Sequence, residues 1–164
     1  MTYSRFEDLP VWKKAIELAD GIYDMTESSE WRGSRSLRDQ LERAALSVSN
    51  NIAEGFERGT TNELLAFIYI ARGSAGEVRS MLCFIERRKG YSYFKSQISD
   101  LKSIAESCSR QLRGWADHLQ NSDIKGQRHL NENTRQHYHA RKKADEFKQE
   151  LQERLPPDHP LRHR

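Results

Sequence analysis

Apolar residues return every three or four positions along four successive stretches of this chain, a spacing that leaves few options besides packed helices. Val11, Ala15, Leu18, Ala19, Ile22 and Tyr23 share one face of a first segment, predicted from about Leu9-Pro10 to Thr26. Leu37, Leu41, Ala44, Val48 and Ile52 form the second, starting at Ser34 to Ser36. After a cap signal at Thr60-Thr61-Asn62-Glu63, the third carries Leu64, Ile68, Ala71, Ala75, Val78, Leu82 and Ile85. The fourth carries Phe94, Ile98, Leu101, Ala105, Cys108, Leu112, Trp115 and Leu119. Seams of this period on consecutive segments joined by short loops predict an all-α fold, an antiparallel up-down four-helix bundle over residues 1–120.

The stretch RAALSVSNNIAEGFERG, residues 43–59, interrupts the seam with Ser47, Ser49, Asn50, Asn51 and Glu54. Asn and Gly near a helix end serve termination, and Gly55 is expected to be a left-handed stop. Gly73, Ser74, Ala75 and Gly76 sit in the middle of the third segment, where each glycine costs about 1 kcal/mol relative to alanine. Small residues on both segments predict a close crossing of the second and third helices, or of two subunits.

Charge narrows the function classes. The net charge is +3, but residues 1–120 hold 17 Lys+Arg against 17 Asp+Glu, so the excess lies in residues 121–164, with 10 against 7. A basic surface on the bundle must therefore arise by segregation onto faces. Arg72 and Arg79 lie one heptad apart, and Arg87, Arg88 and Lys89 extend the positive patch at the end of the third segment. These five are candidate phosphate contacts, against a reading of Arg87 to Lys89 as cations complementing a helix dipole. For Arg110 and Arg113 the solvated-surface reading is preferred. Cys83 and Cys108 lack metal or redox spacing and read as buried thiols in a reducing compartment. With no apolar run of membrane-spanning length and no leader-like start, a cytoplasmic location is expected.

Beyond Leu119 the pattern fails. Residues 121–164 form a polar linker and a helical extension, with Ala144, Phe147, Leu151 and Leu155 as a thin apolar strip before Pro156-Pro157. Phe147, Leu151 and Leu155 are candidate partner-docking residues. Arg141, Lys142 and Lys143, with Tyr138 nearby, could grip phosphates and stack a base, although the acids that follow favour a solvated helix face.

Three segments together, FEDLPVWKKAIELADGIY, LRDQLERAALSVSNNIAEGFERG and AFIYIARGSAGEVRSML, resemble a bacterial four-helix-bundle family. It includes proteins encoded in intervening sequences of large-subunit ribosomal RNA genes and the accessory variability determinant of diversity-generating retroelements. The resemblance implies a non-enzymatic, ring-shaped homopentamer; in the retroelement branch it implies binding of nucleic acid and a reverse transcriptase through basic outer surfaces. Asn51, Glu54, Gly55, Gly73, Ser74 and Glu77 match the family's motif, and the resemblance gives them roles in fold and assembly.

Catalytic constellations are not evident in the sequence. His137 and His139 point apart on a helix, His129 lies in a loop, and Glu54 and Glu77 lack the Glu-x-x-His repeats of a di-metal bundle. A hydrogen-bonding or ion-pair role, with Arg43 or Arg72 as partner, is the preferred reading of Glu54 and Glu77. The expectation is a homo-oligomer without metal, cofactor or catalysis that binds RNA or DNA beside a nucleic-acid enzyme. The alternative is a protein-interaction scaffold that docks a partner through its tail.

Overall fold

Each apolar seam becomes the inward face of one helix in the computed structural model, which describes residues 3–121 and 132–154. A single 3-10 turn, Phe6–Asp8, leads into α1, Pro10–Glu27, whose first residue is the proline that a first helical turn tolerates. Helix α2, Arg35–Glu57, is capped by Ser34, whose hydroxyl accepts the Leu37 N–H. Helix α3, Thr61–Glu86, opens on a reciprocal cap: Thr60 accepts the Glu63 N–H at 3.2 Å and donates to the Glu63 carboxylate at 2.7 Å. A 3-10 segment, Lys89–Phe94, turns the chain into α4, Lys95–Gln120. The chain divides into two compact units, residues 1–127 and 128–164; the second contains α5, Glu132–Arg154.

Helices α1 and α3 each pack on both α2 and α4, which makes a square bundle with α1 and α3 on a diagonal. Cross-helix bonds fix the antiparallel directions. Gln40 bonds Glu77 and Ser47 bonds Ser74 between α2 and α3, while Lys102 bonds Glu86 and Gln120 bonds Tyr69 between α4 and α3. Leu18, Ile22, Leu41, Ile52, Ile68, Leu82 and Leu112 are completely or almost completely buried, each contributing about 1.5–3 kcal/mol of burial free energy. One polar group crosses this interior edge: buried Thr26 of α1 donates to Glu42 of α2 at 2.5 Å, and Arg38 donates to the same carboxylate oxygen at 2.7 Å.

The structure corrects three expectations. Gly55 is not a left-handed stop, because no glycine among the described residues has a positive φ and α2 continues to Glu57. It instead lies close against α3, where a Cβ would stand 2.7 Å from Phe67 Cβ and 3.3 Å from Leu64 Cδ1. Gly73 and Gly76 are exposed with open space where a Cβ would stand, so the close crossing within the bundle uses Gly55 and the Ser47–Ser74 pair. Cys83 is exposed; only Cys108 is buried, and burial pushes its thiol up to about 11.

These placements have measurable consequences. Gly55→Ala is expected to destabilise the fold by about 1–3 kcal/mol through overpacking. Gly114→Ala, where a Cβ meets nothing, is expected to stabilise it by up to about 1 kcal/mol; urea denaturation of both variants checks the contrast. In thiol labelling at pH 8, Cys83 should react and Cys108 should stay protected until unfolding, since a rise from 9.0 to about 11 cuts its thiolate population by about a hundredfold.

Candidate nucleic-acid interface

One face of α3 is spent on the core, which leaves its cations on the flanks and at the end. Arg72 and Arg79 share the heptad position of Glu86, whose carboxylate accepts from Lys102 of α4 at 2.7 Å, so both arginines lie on the α4-facing flank. Arg79 is exposed and Arg72 half-buried. About 10 Å of helix separates them, at 1.5 Å per residue. Arg87, Arg88 and Lys89 follow where α3 gives way to the connector, all exposed.

Ion pairing divides the basic residues of the bundle into two sets. Lys14 pairs with Glu17, Arg38 with Glu42, Arg58 with Glu54, Arg110 with Glu106 and Arg113 with Asp117. Among the described residues, Arg72, Arg79, Arg87, Arg88 and Lys89 have no carboxylate at ion-pair distance, as is also true of Lys13, Arg43 and Lys95. Exposed pairs contribute little to stability, but each paired cation has its field cancelled locally, whereas the unpaired set projects an unopposed positive potential. The motif acids are also placed. Glu54 is taken by Arg58 rather than by Arg43 or Arg72, and Glu77 accepts from Gln40 at 3.2 Å. Asn51 donates to the Ser47 carbonyl and hydroxyl, and Ser74 to the Ile70 carbonyl.

The antiparallel order brings the α1–α2 connector and the α3–α4 connector to the same end of the bundle. Trp31 meets Tyr91 edge-on at 5.3 Å between ring centroids. A Cβ at Gly33 would stand against the Trp31 ring and 2.6 Å from the Tyr91 hydroxyl, so any larger residue there would have to displace these rings. Between the connectors is an open recess of about 650 Å³ walled by Arg32, Phe84, Arg87, Arg88, Lys89 and Tyr91. A neighbouring recess brings Lys95 and Glu86 beside Arg87, Arg88 and Lys89. Arg88 stands over the Phe84 ring at 5.6 Å. Burial raises the Tyr91 hydroxyl pKa, against the pull of Arg88.

Sequence context did not mark Arg32, Lys95, Phe84 or Tyr91 as site residues. The available signal was topological: in an up-down bundle the first and third connectors must meet at one end. On α5, Arg141, Lys143, Phe147 and Leu151 are exposed. The side chain of Lys142 and residues His129 and Leu155 lie outside what the structure describes, as do the side chains of Tyr138, His137 and His139. Among the described residues no cluster of His, Cys, Asp or Glu could hold a metal ion, and no helix is long and apolar enough to cross a membrane. The arrangement suits electrostatic and stacking contact with a phosphate polymer.

The bundle is similar to the crystal structure of a protein of unknown function from the S23 ribosomal protein family of Bacteroides thetaiotaomicron, with a TM-score of 0.57 at 19% identity, covering 65% of this chain and 97% of that one. That likeness speaks for the fold alone. No curated protein matches the chain. Residues 7–114, spanning α1, α2, α3 and most of α4, match the family model described as 23S rRNA-intervening sequence protein, and the chain belongs to that family.

Proposed function

We propose that this chain is a non-enzymatic, homo-oligomeric accessory protein of the cytoplasm that holds RNA or DNA through α3 and the connector end of its bundle. The observation that carries this reading is the unpaired set Arg72, Arg79, Arg87, Arg88 and Lys89, in a bundle whose other cations are largely neutralised by carboxylates. Such contacts are independent of sequence, and repeating them around an assembly turns weak phosphate binding into useful avidity. The family description, which concerns an insert in 23S rRNA, makes RNA the first polymer to test.

Assembly has its own support. The outer face of α3 exposes Ile70 by 50% and Leu46 of α2 is exposed by 37%, while Gly73 and Gly76 leave open space through which a second backbone can approach. A pentameric ring is the form implied by the family resemblance. In this reading the ring presents the polymer to an enzyme, a reverse transcriptase being the case that the resemblance offers. Arg141, Lys142 and Lys143 would add phosphate contacts from the tail.

The scaffold reading rests on a different observation: Phe147 and Leu151, one turn apart on α5, are 66% and 42% exposed. With Leu155 they would dock a partner helix. Salt separates the two readings, since phosphate binding weakens steeply with ionic strength and apolar docking persists.

The test is a salt titration of labelled stem-loop RNA with the full chain. Arg72→Glu/Arg79→Glu should weaken binding by at least tenfold, and loss of two phosphate contacts should flatten the log–log salt slope by about 1.4–1.8. Undiminished, equally steep binding would move the interface elsewhere. Gly73→Leu should shift the species seen by light scattering to a smaller mass while the helical circular dichroism is retained; an unchanged mass would remove α3 from the assembly surface.

A further inference from the structure

We infer that the connector end is a seat for unpaired nucleotides of an RNA or DNA strand, with phosphates held by Arg87, Arg88, Lys89 and Lys95 and bases stacked on Phe84 and Tyr93. The inference rests on the nucleic-acid reading above and specifies its substrate as single-stranded. Three observations converge on it.

The first is the pair of aromatic rings left in solvent. Phe84 is 52% exposed and Tyr93 73% exposed; Tyr93 touches the buried Phe94 ring edge-on at 5.1 Å, yet each keeps much of its ring in solvent beside a core filled by Ile85, Tyr91 and Phe94. The second is the coupling of ring and charge. Arg88 stands over Phe84 at 5.6 Å, and a guanidinium beside an aromatic ring offers a base a stacking surface and its phosphate a cation. The third is the state of the nearby acids. Glu27 faces Arg38 at 3.9 Å, Glu30 faces Arg32 at 3.4 Å and Glu86 takes Lys102 at 2.7 Å, which leaves Arg87, Arg88, Lys89 and Lys95 unneutralised among the described residues.

The combination selects among polyanions. A duplex offers its phosphates but keeps its base faces stacked inside, and an acidic peptide offers carboxylates but no flat rings; either would leave the exposed faces of Phe84 and Tyr93 uncovered. A strand with splayed bases uses both. Phe84, Arg87, Arg88 and Lys89 line the open recess of about 650 Å³, a volume within the range of small-ligand sites.

Fluorescence anisotropy of the full chain with an unstructured strand of about 12 nucleotides, its blunt duplex, an abasic strand of equal charge and polyglutamate tests the inference. The strand should bind about tenfold or more tighter than the abasic strand or the duplex, and polyglutamate should compete poorly. Phe84→Ala/Tyr93→Ala should cost the strand about tenfold and change abasic binding less than about twofold. Should that variant lose its thermal transition, Phe84→Trp/Tyr93→Trp, which keeps two stacking rings, must bind the strand like the parent. Equal affinity for strand, duplex and abasic strand, an alanine variant without effect, or efficient competition by polyglutamate would overturn the inference and leave the nucleic-acid reading standing. No binding of any nucleic acid at low salt would remove both.

Discussion

Burial of one face of α3 between α2 and α4 sets the terms for everything else in the bundle. Leu64, Ile68, Ala71, Ala75, Val78, Leu82 and Ile85 are all consumed by the core, so each remaining position on α3 belongs either to a flank or to the outside. The α2 flank is tied by the Ser47–Ser74 and Gln40–Glu77 bonds, the α4 flank by Glu86 with Lys102 and Tyr69 with Gln120. What is left over is chemically mixed: small and apolar at Ile70 and Gly73, cationic at Arg72, Arg79 and the Arg87–Lys89 run. Any interaction surface on this helix would be made of whatever the packing does not use.

Charge follows the same division. The bundle is neutral in total, yet neutrality is reached unevenly, because many of its cations have a carboxylate one helical turn away on their own helix. Arg38, Arg58, Arg110 and Arg113 all follow this i,i+4 pattern. Helix α3 supplies no acid at the matching offset for Arg72 or Arg79, and the connector after it is cationic without interruption from Arg87 to Lys89. Overall composition therefore conceals a local field that a residue-by-residue inspection of i,i+4 partners reveals.

Most of the fold was legible in the sequence because a period of three and four is a direct image of a buried helical stripe, and the helix starts at Pro10, Ser34 and Thr60 carried recognisable capping chemistry. The glycines were harder for a physical reason. A left-handed stop and a close helix approach both require a missing Cβ, so Gly55 could serve either, and only its neighbours Leu64 and Phe67 decide. For Gly73 the phase was readable: it lies two positions before Ala75 on the seam, which points it away from the core. Cys83, two positions before Ile85 on the seam, follows the same rule. The recess was the least legible part, because Arg32 and Tyr91 are far apart in the chain and meet only through the antiparallel topology.

Trp31 gives the connector end a further property. The other two tryptophans, Trp12 near the start of α1 and Trp115 near the finish of α4, belong to the opposite end of the bundle. The Trp31 indole N–H is buried with no hydrogen-bond partner among the described residues, and the ring abuts Tyr91. Indole emission responds to the polarity of its surroundings. The molecule thus carries an intrinsic optical probe at the end where its two aromatic connectors meet, spatially separate from the tryptophans that report on the other end.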